Sequence, residues 1–361
     1  MKKDTIWVIA AGAVVGILAV VLTKLGNPAN MGFCIACFER DIAGALGFFN
    51  WNIPAAVQYI RPEILGIVFG GFLTAVATRE FKPRAGSMPV VRFMLGVFMM
   101  IGALAFLGCP LRMVIRLGGG DLNAVVALVG FIAGIGIGVV FLRQGFNLGR
   151  TQKTGFWDGF VLPGFMVVLL LLLLFQVKFT ETGPLFFSAK GHPGVDGSAV
   201  GIYAGIAISL AAGLLVGWVA QRSRMCCAGA FRDLFIMRSG HLMIAVATVF
   251  VVILVLNIIL GNFHMSFADQ PVAHTGYIGN FLGMALVGIC AVLLGGCPLR
   301  QLILAGNGNA DSAITVFGML AGAGFAHNLG LASLVNTNAW GFAAVILGLA
   351  VAIVVAFVNR K

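Results

Sequence analysis

The sequence predicts an all-α polytopic membrane protein with about ten spans plus re-entrant half-helices, arranged in two inverted-topology repeats. Its 361 residues are 60% hydrophobic and 10% charged, with a mean hydropathy of +1.04, which is too apolar for a soluble core of this size. Continuous apolar runs of about 20 residues, the length that crosses a bilayer, recur along the chain. Short motifs that contain cysteine and arginine also occur twice, and they predict the repeats.

The predicted spans are apolar runs bounded by charged or Gly/Pro-rich segments, and none alternates as a barrel strand does. They cover residues 6–23, 62–78, 91–107, 122–142, 158–178, 198–220, 241–261, 277–295, 311–330 and 338–357. The first run lacks a small-residue cleavage site and is long enough to remain in the membrane, so it is predicted to be a span.

Basic residues in the loops predict the orientation of these spans. Most of them fall on one side when the N-terminus is placed in the cytoplasm, so we expect a multi-pass protein of the bacterial inner membrane with both termini cytoplasmic. The net charge of +11 then reflects topology, and we expect the lipid bilayer and no nucleic acid as a partner.

Two motifs divide the chain into repeats. Residues 34–41 read CIACFERD and residues 226–233 read CCAGAFRD, while GCPLR occurs at both 108–112 and 296–300. Five spans in each half make the second copy enter the membrane from the opposite side, which predicts a pseudo-twofold axis in the membrane plane. The predicted units are 1–157 with a last span at 158–178, an external linker loop at 179–197, and the inverted repeat at 198–361.

The second motif, GCPLR, has the composition of an anion-binding site. Proline directly after Cys109 and Cys297 places these residues at helix N-termini, where free N–H groups and the helix dipole favour an anion. Arg112 and Arg300 return one turn later and add a permanent positive charge. Because the segments that follow are short, we expect re-entrant half-helices that line a cavity.

The candidate substrate path is made of cysteines and arginines from both motifs. Its residues are Cys34, Cys109, Cys226, Cys297, Arg112 and Arg300, with Cys37, Cys227, Arg40, Asp41, Arg232 and Asp233 in support. The two Arg-Asp pairs also fit a purely structural role. Arg116 and Arg238 have no counterpart in the other half, so a snorkelling or loop role is expected for them. Cys290 lies in an apolar run and is expected to be a small hydrophobic residue.

Two mirrored half-sites predict a permease for a small oxyanion that carries a polarizable sulfur atom, and not an enzyme. The alternative is a membrane thiol-disulfide oxidoreductase that relays electrons through Cys34/Cys37 and Cys226/Cys227, although a C-x-x-C pair outside a thioredoxin-like context is a weak signal. Metal permeation is disfavoured because arginines beside the cysteines repel cations. The scattered histidines have no ligand spacing and no nucleotide motif occurs, so neither a metal site nor a cofactor is predicted.

These motifs resemble those of the YeeE/YedE family of bacterial membrane proteins. The duplicated GCPLR, together with the Cys34 and Cys226 motifs, carries the resemblance over nearly the whole chain, and residues 31–34 (MGFC) and 224–229 (RMCCAG) resemble the YedE branch. The family includes thiosulfate permeases, and the YedE branch is associated with selenium metabolism.

The resemblance implies an hourglass-shaped permease whose cysteines pass the substrate along through thiol contacts, without covalent turnover. Carried over by motif, the path cysteines are Cys34, Cys109 and Cys297, with Cys226 as the repeat mate of Cys34. A small cytoplasmic sulfurtransferase-like protein is the partner that the resemblance implies as an acceptor.

Overall fold

A computed structural model of the chain describes residues 3–49, 57–175, 177, 204–331 and 336–360. Within these residues, helices of 16 to 22 residues alternate with four short helices of 9 to 11 residues. The predicted linker at 179–197 lies outside the described residues.

The long helices follow the predicted spans, with the largest shift at 198–220. They are α1 (Lys3–Lys24), α3 (Pro62–Ala77), α4 (Pro89–Phe106), α6 (Asn123–Arg143), α7 (Phe156–Phe175), α8 (Ile206–Ser223), α10 (His241–Ile259), α11 (Tyr277–Leu293), α13 (Ala310–Asn328) and α14 (Ala339–Val358). The short helices are α2 (Ile35–Ala45), α5 (Pro110–Gly118), α9 (Cys227–Met237) and α12 (Pro298–Gly306). Two-residue strands β1 (Arg84–Ala85) and β2 (Gln152–Lys153) pair antiparallel.

Eight segments of the described chain are long and apolar enough to cross a membrane, judged by length and composition. Two long helices are not among them: α3 has only 16 residues, and α13 carries Asp311 and His327 near its ends. The chain is an all-α, multi-pass membrane protein, which confirms the predicted fold class.

Long and short helices follow the same order in the two halves of the chain: long, short, long, long, short, long, long. The most extensive helix contacts join the two halves, and they come in equivalent pairs. Helix α3 packs on α8 as α10 packs on α1, and α6 packs on α11 as α13 packs on α4. Glycine lets these helices meet backbone to backbone. A Cβ at Gly134 would lie 2.0 Å from the Ala285 carbonyl oxygen, and one at Gly70 would lie 2.2 Å from that of Leu214.

The loops behind α5 and α12 are each hydrogen-bonded by a loop from the other half of the chain. The N–H groups of His264 and Ser266 donate to the carbonyls of Gly119 and Gly120 at 3.0 and 3.2 Å, and those of Lys82 and Arg84 donate to Asn307 and Gly308 at 3.1 Å each. Gly120 has φ +92°, and a Cβ there would lie 2.6 Å from the His264 carbonyl oxygen. The ends of both half-helices are therefore fixed across the halves.

Arg116 corrects an expectation from the sequence. Its side chain is fully buried, where it pairs with Asp121 at 2.6 Å, donates to the Phe106 carbonyl at 2.8 Å and lies 4.1 Å from the centroid of the Phe106 ring. The prediction of a snorkelling or loop role is wrong for Arg116, because its charge is neutralised within the fold. Arg238 does lie at a helix end, as the C-cap of α9 in a left-handed conformation.

Candidate functional site

Cys109 and Cys297 begin the two short helices that follow the GCPLR motifs. Each is the N-cap, in extended conformation, of a helix whose first residue is proline, as the sequence predicts. Both side chains are buried. The free N–H groups of α5 and α12 therefore point towards a buried thiol, at the end of the helix that favours negative charge.

Cys34 and Cys226 also cap helices, which the sequence analysis did not predict. The Cys34 sulfur accepts the N–H of Cys37 at 3.3 Å, and the Cys226 sulfur accepts that of Gly229 at 3.2 Å, at the starts of α2 and α9. Capping rules name oxygen side chains at this position, so sequence patterns gave no signal for a thiol cap.

The first half-site is defined here as Cys34, Cys37, Cys109 and Arg112. The Cys34 thiol interacts with the thiols of both Cys37 and Cys109. The backbone N–H groups of Ile35, Ala36 and Arg112 also lie close to the Cys109 sulfur. The N-termini of α2 and α5 therefore converge on one sulfur atom.

Arg112 is fully buried in the first half-site and is bound by neutral groups. Its Nε donates to the Asn30 carbonyl at 3.0 Å, its Nη2 donates to that of Val272 at 2.9 Å, and its Nη1 contacts both the Leu107 carbonyl and the Cys37 sulfur, the latter at 3.4 Å. No carboxylate among the described residues bonds to this guanidinium.

The second half-site is defined as Cys226, Cys227, Cys297 and Arg300. The sulfur atoms of Cys226 and Cys297 lie 3.7 Å apart, and the Cys297 N–H donates to the Cys226 sulfur at 3.5 Å. The Cys297 thiol also interacts with that of Cys227. Each half-site thus contains three neighbouring thiols, although the sequence positions of the third cysteine, Cys37 and Cys227, do not correspond.

A cavity of about 670 Å³ opens onto the second half-site. The side chains that give it charge or polarity are Arg222, Arg224, Arg232, Arg300, Asp233, His241 and Cys226. Arg300 is the counterpart of Arg112, yet its Nη1 is buried without a hydrogen-bond partner in the part of the chain that is described. Cationic side chains outnumber the acid in this lining, so the cavity favours anions.

The thiols and the guanidinium of the first half-site, in contrast, are all buried among the described residues. A separate cavity of about 460 Å³ reaches Asn30, whose carbonyl binds Arg112, and its lining includes Lys24, His264 and Asp269 but none of the cysteines. The loop that carries Val272 is also fixed by His274, whose Nε2 lies 2.8 Å from the Ala105 carbonyl oxygen. Burial lowers the pKa of His274, and its Nδ1 accepts the Gly276 N–H at 3.2 Å, as in the neutral ring.

The two Arg-Asp pairs occupy different environments. Arg40 pairs with Asp41 at 2.6 Å in the protein interior, and the other Asp41 oxygen accepts from the fully buried Arg61 at 2.6 Å. Arg232 and Asp233, 2.8 Å apart, line the 670 Å³ cavity. The first pair therefore belongs to an ion network, and the second borders the space at the second half-site.

Two further residues of the motif analysis, Cys290 and Glu39, are also buried. Cys290 is fully buried inside α11, as expected of a small hydrophobic residue. Glu39, in α2, is 1% exposed, and neither carboxyl oxygen has a hydrogen-bond partner among the described residues. No sequence signal marks Glu39 as functional, because its position in the motif does not indicate complete burial.

The fold and its duplicated thiol clusters define a multi-pass α-helical membrane protein with buried Cys/Arg half-sites. Residues 222–359 match the family described as Sulphur transport. The thiosulfate transporter TsuA of Escherichia coli (strain K12) is 32% identical over 111 residues, which are 30% of this chain and 30% of that protein. Both matches support the resemblance to the YeeE/YedE family, and they do not distinguish the branches of that family.

Proposed function

We propose that the chain is a permease for a small sulfur- or selenium-containing anion, of which thiosulfate and selenite are the leading candidates. The observation that carries the proposal is the pair of three-thiol clusters, each at the N-terminus of a half-helix that bears an arginine one turn later. A family match described as sulfur transport and the partial likeness to a thiosulfate transporter support the same class of substrate.

The chemistry of a half-site suits such an anion. Backbone N–H groups at a helix start and a guanidinium bind oxygen atoms, while thiols offer weak S–H donors and polarizable contacts to a second sulfur or selenium atom. Transient hydrogen bonds of this kind let the anion move on, because no covalent bond has to be broken. The substrate path that we propose runs through Cys34, Cys109, Cys226 and Cys297, with Arg112 and Arg300 supplying charge.

The matched helix order and the equivalent helix pairs support a second part of the proposal. The two halves of the chain are inverted repeats, 1–178 and 198–361, so that each half-site faces a different side of the membrane. With the termini in the cytoplasm of a bacterial cell, the second half-site and its basic cavity face inwards. A small sulfurtransferase-like protein at this cytoplasmic mouth would consume the delivered anion and drive net uptake.

Transport by purified protein in liposomes tests the proposal. Uptake of labelled thiosulfate should fall at least ten-fold in Cys109→Ala and in Cys297→Ala, because each variant removes a thiol between helix N-terminus and arginine. Cys290→Ala is the matched control, since it removes an equally buried thiol outside both clusters. Normal uptake by both path variants would refute the proposed route. Measuring selenite uptake with the same samples and comparing it with thiosulfate uptake would decide between selenium and sulfur as the preferred substrate.

A further inference from the structure

The three carbonyl groups that bind Arg112 belong to residues with a left-handed backbone. Asn30 has φ 57°, Leu107 has φ 59° and Val272 has φ 50°. Asparagine tolerates this region, but leucine carries a cost there and β-branched valine is an outlier. Strained backbone of this kind persists where neighbouring groups hold it in place, and at this site the neighbouring group is the guanidinium.

Arg112 also joins two loops that are distant in sequence. Asn30 belongs to the loop before α2 and Val272 to the loop before α11, and the Asn30 side-chain amide contacts the Gln270 side-chain oxygen at 3.4 Å. Asn30 lines the 460 Å³ cavity on one side and binds Arg112 on the other. These loops therefore separate that cavity from the thiols of the first half-site.

The charge of Arg112 makes this closure sensitive to an anion. A buried guanidinium that is bound by carbonyls and a thiol retains an uncompensated positive charge. A carbonyl is neutral, so an anion adds a Coulomb attraction to the guanidinium that the carbonyl bonds lack, and this attraction is strong in a buried site. An anion near Cys109 would consequently compete with the carbonyls for the same N–H donors.

The second half-site contains the same motif without this arrangement. Arg300 lies beside the 670 Å³ cavity, and its Nη1 has no hydrogen-bond partner among the described residues. The residue two before the motif cysteine is Gly295, with φ +81°, where the first half-site has Leu107. Glycine adopts this conformation without steric cost, so backbone strain at this motif position is confined to the closed half-site.

We propose that Arg112 is a latch that the transported anion opens. In the absence of an anion, the guanidinium holds the strained Asn30, Leu107 and Val272 carbonyls and keeps the loops closed over the thiols. An anion that reaches Cys109 draws Arg112 away from the carbonyls, and the loops relax and open. This inference rests on the proposed permease function, because it assigns a gate to the same path.

Hydrogen-deuterium exchange of the purified full-length protein tests the latch, with thiosulfate as the probe and sodium chloride at equal ionic strength as the reference. A ligand that simply binds usually slows exchange, whereas the latch predicts that thiosulfate accelerates exchange in residues 25–33 and 260–276. Slower or unchanged exchange in both loops would overturn the proposal.

Arg112→Gln should open the loops without any anion. Loss of its charge-assisted bonds should accelerate exchange in both loops roughly ten-fold or more, and thiosulfate should then add nothing. Arg300→Gln is the matched control, since it alters the repeat counterpart and should leave exchange in these loops unchanged. Loops that remain protected in Arg112→Gln would contradict the latch.

Val272→Asn provides a test that does not depend on whether Arg112→Gln folds. Asparagine accepts the left-handed conformation better than valine, so the closed state should be stabilised and anion-induced exchange should slow roughly five-fold or more. Acceleration or no effect would contradict the role of strain. Uptake measured with the same proteins separates the two proposals. If uptake depends on Cys109 and Cys297 but thiosulfate does not accelerate exchange in the loops, only the gate is refuted. If thiosulfate accelerates exchange but uptake does not depend on these thiols, the permease route is refuted.

Discussion

The two half-sites share the GCPLR motif and three thiols, but their arginines are in different states. Arg112 is fully buried and bound to carbonyls from two loops. Arg300 lies next to a basic cavity, and within the described part of the chain its Nη1 has no hydrogen-bond partner. The motif sets the position of a thiol and a guanidinium at a helix start. Whether that position is closed or accessible depends on residues outside the motif.

Replacements at four positions also distinguish the interiors of the two halves. The second GCPLR copy lies 188 residues after the first, and at this spacing the buried pair Arg116/Asp121 becomes Leu304/Asn309. Leu107 becomes Gly295 at the same spacing, and Glu39 becomes Phe231 at the spacing of 192 that relates Cys34 to Cys226. The first half thus carries more buried charge than the second, and at Leu107 it carries backbone strain that Gly295 avoids.

The largest expected effect on stability comes from replacing the ion pair of the first half, Arg116/Asp121, by the residues at the corresponding positions of the second half. Arg116→Leu leaves Asp121 buried without its partner and should lower the free energy of unfolding by about 3–5 kcal/mol. The double variant Arg116→Leu/Asp121→Asn should recover most of that loss, because it reproduces Leu304/Asn309. Thermal and denaturant unfolding in detergent would measure both, and a double variant as unstable as the single one would show that the halves tolerate different interiors.

Arg300→Gln tests the open side of the comparison. If its unpartnered guanidinium binds the anion, uptake should fall by about 10- to 100-fold, the equivalent of one charged hydrogen bond, with partial rescue by Arg300→Lys. Arg238→Gln is the control, since Arg238 lies at the C-terminus of α9, outside the lining of the cavity. Uptake that survives Arg300→Gln would remove this residue from the path.

Mild oxidation should also distinguish the half-sites. The sulfurs of Cys226 and Cys297 are 3.7 Å apart and Cys226 lines the cavity, so this pair should form a disulfide before any pair in the first half-site. The disulfide, located by mass spectrometry, should block uptake until a reductant is added. A redox relay predicts the reverse, namely electron transfer to a partner that depends on Cys226 and Cys227 while uptake is unaffected.

The smallest expected effect concerns Glu39. Its buried carboxyl makes no hydrogen bond among the described residues, so Glu39→Leu should raise the free energy of unfolding by about 1 kcal/mol through removal of an unsatisfied polar group. Phe231→Leu, at the corresponding place in α9, gives the matched apolar change. A stability loss in Glu39→Leu would indicate that the carboxyl interacts with residues outside the described part of the chain.

Sequence patterns were sufficient for the long helices and for the starts of α5 and α12. Apolar runs of spanning length and the Cys-Pro dipeptide each have one dominant physical interpretation. The same patterns missed α2 and α9, because the N-caps of these helices are thiols, which capping rules do not name.

The residues of the site were predictable from the sequence, but the hydrogen-bond partners of its arginines were not. The duplicated motif identified the cysteines and arginines that the structure brings together in each half-site. The partners of Arg112 are main-chain carbonyls of Asn30, Leu107 and Val272. Every residue has such a carbonyl, so the sequence does not indicate which ones bind the guanidinium. Arg116 was misjudged for a related reason, since its acidic partner, Asp121, lies beyond a glycine-rich turn.

The hydrogen bonds that tie residues 264 and 266 to 119 and 120 also determine when the first half-site is completed during synthesis. The ribosome makes α5 long before it makes the segment that secures the end of that helix and supplies the Val272 carbonyl. A nascent chain that stops after its first half consequently inserts a buried cation without the groups that seal it, and such a fragment is a ready target for quality-control proteases.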